Sequence, residues 1–69
     1  MDLVFTLTCS DRPGIVRAIA NTVFEAGGNI IENQQFTDPI TKTFVMRTRF
    51  NTDKDFNEVK NLFDKTVEN

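Results

Sequence analysis

The chain has 69 residues, of which 39% are apolar and 26% charged, with a net charge of -2. A chain of this length forms one domain and buries about 60% of the surface that its unfolded form exposes, so we expect a marginal core that needs a partner, an oligomer or further chain. The acidic balance excludes a basic nucleic-acid surface, no apolar run reaches the length of a membrane span, and there is no His and a single Cys, Cys9. We therefore expect a cytoplasmic domain without a metal, a cofactor or catalytic groups of its own.

The first half of the chain predicts a strand and a helix. Apolar side chains alternate at the amino terminus, which predicts a strand over residues 2–9. Asp11 as a capping residue and Pro13 in a first turn then predict a helix over residues 13–26. Its apolar stripe is Val16, Ile19, Ala20 and Val23, and it ends at Gly27-Gly28.

The second half predicts a hairpin and a second helix. Alternation from Phe44 to Phe50 follows a turn cluster and predicts a strand over residues 42–50. The polar residues 29–37 are then its hairpin partner, an edge strand facing water or another subunit. A helix is predicted over residues 53–67, with acidic residues placed at its start by the helix dipole and not by a metal ion. Its predicted apolar side comprises Phe56, Val59, Leu62, Phe63 and Val67.

The resulting order β-α-β-β-α predicts an α+β protein with a ferredoxin-like fold. In that fold an antiparallel sheet carries two helices on one face. Five of its six elements are predicted within this sequence, and the closing fourth strand is absent.

Two segments give the chain a family resemblance. Asp11-Arg12-Pro13-Gly14 lies at the first strand–helix junction, and Gly27-Gly28-Asn29-Ile30 leads into the second strand. This combination resembles the ACT domain, a βαββαβ module that commonly binds amino acids and regulates metabolic enzymes. Residues 9–16, Gln34-Gln35-Phe36 and Phe44-Val45-Met46-Arg47 narrow the resemblance to the amino-terminal ACT domain of formyltetrahydrofolate deformylases.

The resemblance implies a regulatory part of a hydrolase. Such enzymes convert 10-formyltetrahydrofolate and water to tetrahydrofolate and formate, in purine and one-carbon metabolism, with a downstream formyltransferase-like domain that uses Asn, His and Asp. On this interpretation residues 1–69 are a single ACT domain, truncated before its fourth strand, without the catalytic domain and not catalytic by itself. The alternative is a stand-alone small ACT module that binds an amino acid and acts through protein contacts.

The resemblance also implies an effector site. Gly14 would let a ligand approach the backbone, the helix start would bind its carboxylate, and Asp11 would bind its ammonium group. Asn29 would come from an adjacent subunit, and glycine and methionine are the candidate effectors. The implied residues are Asp11, Arg12, Pro13, Gly14, Asn29 and Ile30.

The same residues have structural interpretations. Capping explains Asp11 and Pro13, tight packing of a turn explains Gly14, helix exit explains Asn29, and an Arg at a helix start is usually solvated. Likewise Arg47 and Arg49 would bind an anion, or pair across strands with Glu32 or lie under a subunit contact.

The predicted partner is a second copy of the chain, in a homodimer or higher homo-oligomer, with no nucleic acid and no membrane. With strand order 4-1-3-2, the absent fourth strand leaves one edge of the first strand unpaired, which invites dimerisation or strand exchange. Association through the second strand and first helix is the other route, as is frequent in ACT domains.

Overall fold

The computed structural model describes residues 1–68 and confirms the predicted fold class and element order. Three strands form one antiparallel sheet, with two helices on one face. The elements are β1 (Asp2–Ser10), α1 (Ile15–Glu25), β2 (Asn29–Asp38), β3 (Thr43–Asn51) and α2 (Phe56–Glu68).

The sheet has the order β1-β3-β2, so β3 is central and pairs antiparallel with both neighbours. Asp2 and Asn29 both oppose Asn51 at one end of β3. Two strands that are each antiparallel to a third are parallel to each other, so β1 and β2 run in the same direction. The register of β2 shifts between Ile30 and Glu32, which leaves Ile31 as a bulge on this edge strand.

The core lies between β3 and the two helices. Alternate side chains of β3 are buried as the sequence predicts, because successive residues of a strand face opposite sides of the sheet. Leu3, Phe5 and Leu7 of β1 are partly buried against this core. The buried apolar residues are Ile15, Ile19, Val23, Ala26, Phe44, Met46, Phe50, Val59 and Phe63.

The predicted apolar stripe of α1 is correct at Ile19 and Val23, which are buried, and wrong at Val16. Val16 is exposed, and the buried side instead includes Ile15 and Thr22. Thr22 faces α2, where its hydroxyl lies 2.6 Å from the hydroxyl of Thr66. The neighbouring helix therefore covers the Thr22 side of α1 and leaves the Val16 side open.

The start of α2 differs from the predicted residue 53. The Asp55 side chain accepts a hydrogen bond from the Glu58 backbone N–H at 3.0 Å, so Asp55 caps a helix that begins at Phe56. The predicted apolar side is correct at Val59 and Phe63, which are buried. At the two ends of the helix it is wrong, since Phe56 and Val67 are exposed.

α1 ends shortly before Gly27 and Gly28, as these two glycines predict. Gly27 has a φ of 67°, its N–H bonds to the Phe24 carbonyl, and the N–H of Gly28 bonds to the Val23 carbonyl. This pair of hydrogen bonds is a Schellman motif, which needs a left-handed residue where Gly27 lies. Gly28 is required for a different reason. A Cβ there would lie 2.9 Å from Val23 Cγ1 and 3.1 Å from Phe50 Cδ2.

We expect Gly28→Ala to lower the free energy of unfolding by about 1–3 kcal/mol, because the added methyl group forces α1 away from β3. Gly27→Asn is the matched control: Asn tolerates the left-handed conformation, and the nearest atom to a Cβ there is Lys54 Cε at 3.9 Å. Urea unfolding of both variants measures the difference. Wild-type stability for Gly28→Ala would show that α1 and β3 do not approach closely here.

Candidate functional site

The predicted site residues 11–14 form the loop between β1 and α1. All four residues, Asp11, Arg12, Pro13 and Gly14, are exposed. The Asp11 backbone N–H donates a hydrogen bond of 2.8 Å to the carbonyl of Lys42, which lies at the end of the β2–β3 turn. This loop is therefore attached to the hairpin and stands at the Ser10 end of the sheet.

The loop ends in a helix start that no side chain caps. Gly14 is the N-cap of α1 with a φ of 88°, and its carbonyl accepts the first helical hydrogen bond from Ala18 at 3.0 Å. The prediction that Asp11 caps this helix is wrong, because the helix begins at Ile15, two residues later than predicted. Asp11 is left three residues ahead of the cap position, so its carboxylate stays available for a ligand.

Gly14 is needed for conformation and not for packing. A Cβ on this residue would meet nothing within 4 Å, whereas its left-handed φ disfavours any other residue. The interpretation of Gly14 as a tightly packed turn residue is therefore wrong. The open space above it is what a ligand would need to reach the N–H groups of the first helical turn.

Asn29 and Ile30 lie at the other end of the sheet. Asn29 opposes Asn51 of β3, as Asp2 does, while Ser10 opposes Thr43. The eight steps from Asp2 to Ser10 span about 27 Å at the usual rise of a strand. One chain therefore does not bring the two parts of the predicted site together.

The basic residues of β3 form ion pairs across the sheet. Arg47 lies 2.9 Å from Glu32, which is one of the interpretations that the sequence left open, and Arg49 lies 3.1 Å from Asp2. Both pairs are solvent-exposed and stabilise the fold little. Each guanidinium group already has a carboxylate partner, which weakens the interpretation of this strand as an anion site.

Two other kinds of site find no support in residues 1–68. These residues contain no group of three or more His, Cys, Asp or Glu side chains that could hold a metal ion. No helix among them is both long and apolar enough to cross a membrane. Cys9 is half-buried against the core, in keeping with a small apolar residue.

The sequence patterns missed Phe24, which continues an apolar row on the open side of α1. Val16, Ala20 and Phe24 follow one another at four-residue spacing along the side of α1 that faces away from α2. Phe24 is 79% exposed. The signal available in the sequence was Phe24 itself, an aromatic residue of α1 that lies outside the predicted apolar stripe.

A sequence model of the ACT domain matches residues 4–67. The chain belongs to the ACT domain family. Over 45 residues, or 64% of its length, it is 47% identical to formyltetrahydrofolate deformylase of Bacillus subtilis. Those residues amount to 15% of that relative, so the ACT chain spans a small part of the curated protein it matches.

Solved structures agree with this assignment. The ACT chain matches formyltetrahydrofolate deformylase from Burkholderia mallei with a TM-score of 0.90 and 24% identity, over 97% of this chain and 24% of that one. An ACT domain protein from Streptococcus pneumoniae matches with a TM-score of 0.84 and 26% identity, over 99% of this chain and 77% of that one. The resemblance to the ACT domain of formyltetrahydrofolate deformylases is thereby confirmed.

The carboxylate of Asp38, beside the Asp11 loop, gives the ACT chain an acid-sensitive turn. Backbone N–H donors, first of Ile40 and then of Thr41, hold the pKa of Asp38 below its ordinary value of 3.8. A lowered folded-state pKa adds stability above the unfolded value, and that stability is lost as pH falls through the folded pKa. We expect Asp38→Asn to flatten the decline of the urea midpoint below about pH 4.

Asp2 provides a parallel case for this prediction. Hydrogen bonds from Asn51 and then Arg49 lower the pKa of Asp2, so Asp2→Asn removes a similar carboxylate at the other end of the sheet. Carbon-detected NMR titration of wild type gives both pKa values directly. An Asp38 pKa at or above 3.8 would contradict the stabilisation of the charged form by the turn.

Proposed function

We propose that this chain is the regulatory, amino-acid-binding and dimerising ACT domain of a cytoplasmic formyltetrahydrofolate deformylase. The identity with the Bacillus subtilis enzyme supports that parent. Hydrolysis of 10-formyltetrahydrofolate to tetrahydrofolate and formate would then belong to the parent's catalytic domain. Within this chain, which has no His, the role is to bind an effector and a second subunit.

The proposal is carried by the unpaired outer edge of β2, in a chain where the two parts of the predicted site lie at opposite ends of the sheet. The outer edge of β2 has no strand neighbour among the described residues. If two copies pair through this edge in antiparallel fashion, a two-fold axis relates them, and with full overlap the partner's Asn29 lies opposite Asp38. Asp38 is at the same end of the sheet as the Asp11 loop.

This pairing would assemble the site that one chain leaves divided. Three strand spacings, about 14 Å, would separate the end of β1, where the Asp11 loop begins, from the partner's Asn29, in place of about 27 Å between the two parts within one chain. Each dimer would contain two such sites. The first helix would add the exposed Val16 and Phe24, with the half-buried Ala20 between them, to the same contact, which gives the polar strand an apolar neighbour.

The groups at the assembled site match the two ends of an amino acid. The carboxylate of Asp11 would bind the ligand's ammonium group, and the uncapped N–H groups at the start of α1 would bind its carboxylate. Asn29 would donate and accept from the second subunit, with Ile30 beside it and Arg12 and Pro13 bordering the loop. Glycine and methionine are the effectors that the family resemblance suggests.

Calorimetric titration of the chain with glycine and with methionine tests this site. We expect one of them to release heat, and Asp11→Asn to weaken its binding by about 10- to 100-fold through loss of a charge-assisted hydrogen bond. Asp53→Asn is the matched control, since it removes an exposed carboxylate near the start of α2 instead. Absence of heat with both amino acids in folded, dimeric protein would refute the effector role.

Substitution of two aromatic residues, one on each helix, tests where the subunits associate. Phe24→Glu places a charge on the exposed side of α1, and Phe56→Glu places one on α2, where Phe56 is 55% exposed. We expect Phe24→Glu to convert the dimer to a monomer in sedimentation equilibrium and Phe56→Glu to leave it dimeric. The opposite result would place the subunit contact at the β1 edge.

The free edge of β1 has a separate proposed role. An apolar groove runs between β1 and α2, lined by Leu3, Phe5, Phe56, Val59 and Phe63. Beside it, the outer N–H and C=O groups of β1 have no strand neighbour within residues 1–68. We propose that this groove receives the fourth strand of the ACT fold, giving the order 4-1-3-2.

A stand-alone ACT module is the second candidate, and one observation favours it. The chain covers 77% of the ACT domain protein from Streptococcus pneumoniae, a far larger share than of any deformylase named above. Such a module would use the same effector site and β2 edge but would act through contacts with another protein. Reading the gene beyond Asn69 separates the two: a His-containing formyltransferase-like domain establishes the deformylase.

A further inference from the structure

The turn between β2 and β3, residues 38–43, is tightly organised around one carboxylate. Asp38 Oδ1 accepts hydrogen bonds from the backbone N–H of Ile40 at 2.9 Å and of Thr41 at 3.4 Å. The carbonyl of the same residue accepts a third from the Lys42 N–H at 2.9 Å. Asp38 therefore holds three consecutive backbone donors, and the path of the turn follows from it.

Lys42 has a left-handed backbone conformation within this turn. Its φ is 60°, and it is the one residue other than glycine with a positive φ among residues 1–68. The left-handed region is unfavourable for a residue with a Cβ, so the surrounding hydrogen bonds must compensate for it. The direction in which the Lys42 carbonyl points depends on this conformation.

That carbonyl is the acceptor for the candidate effector loop. It receives the Asp11 N–H at 2.8 Å, immediately after β1 ends at Ser10. The Asp11 side chain is exposed, and residues 11–14 contain a glycine with a left-handed backbone. The backbone position of Asp11 is thus set by a contact from the hairpin.

We propose that Asp38 and Lys42 are positioning residues of the effector site: Asp38 fixes the turn, and the Lys42 carbonyl then holds Asp11 where its carboxylate meets the ligand's ammonium group. Neither side chain touches the ligand in this arrangement. The proposal rests on the amino-acid-binding role of the Asp11 loop. It adds that the hairpin contributes to the affinity for the effector by holding the loop in place.

Amide hydrogen exchange and calorimetry on three variants test the proposal. Asp38→Ala removes the acceptor for Ile40 and Thr41, and we expect faster exchange of the Asp11 amide together with five- to tenfold weaker binding of the effector, as for one lost hydrogen bond. Asp38→Asn keeps an acceptor oxygen and should retain most of both properties. Lys42→Gly keeps the carbonyl and suits a positive φ, so it should bind as wild type does.

The outcomes separate this proposal from the effector role itself. If neither glycine nor methionine binds wild type, the effector role fails, while slow exchange of the Asp11 amide in wild type and fast exchange in Asp38→Ala still support control of the loop by the turn. Unchanged exchange and unchanged affinity in folded Asp38→Ala overturn the proposal. Weak binding by Lys42→Gly also overturns it, because the Lys42 ammonium group would then be a ligand contact.

Discussion

The antiparallel pairing of β3 with both of its neighbours is the constraint on which the rest of the structure depends. β3 provides four consecutive inward side chains, Phe44, Met46, Thr48 and Phe50, each at most 4% exposed. Both helices pack on that side, and Phe50 and Phe63 bring their rings to 5.6 Å. Because β1 and β2 each run antiparallel to β3, they run parallel to each other, and the end of β1 cannot lie beside the start of β2.

The same topology determines what kind of site the domain can form. The Asp11 loop has an exposed carboxylate, an uncapped helix start and a glycine with room above it, but it lacks the amide group of Asn29. A second copy that pairs along β2 reverses the strand direction and supplies that amide at the correct end. In such an arrangement effector binding and association are thermodynamically linked, since a ligand that contacts both subunits stabilises the dimer.

Local patterns predicted the fold well, and they failed where tertiary contacts decide. The alternation in β3 and the glycines after α1 are strong signals because they reflect pleat geometry and a positive φ. Val16 was wrongly predicted to be buried because the buried side of a short amphipathic helix depends on where its neighbour packs. Here α2 packs on the side of Thr22. Asp11 was predicted to cap α1 because Asp is common at that position. Its actual contact is a backbone hydrogen bond to Lys42, which a local pattern does not reveal because the two residues are distant in sequence. The separation of Asn29 from Asp11 required the strand order.

Helix positions explain why the two open edges of the sheet suit different partners. α2 lies over β1, where the rings of Phe5 and Phe63 stack with centroids 4.3 Å apart. Pairing β1 with a second β1 would place two α2 helices about one strand spacing apart, near 5 Å, although packed helices need 8–10 Å. Only a strand without its own helix fits that edge. α1 instead lies beside α2 on the side towards β2, and Val23 and Phe50 flank Gly28 at its end. Paired β2 strands would set two such helices at least two strand spacings apart, about 10 Å or more, which satisfies the spacing of packed helices.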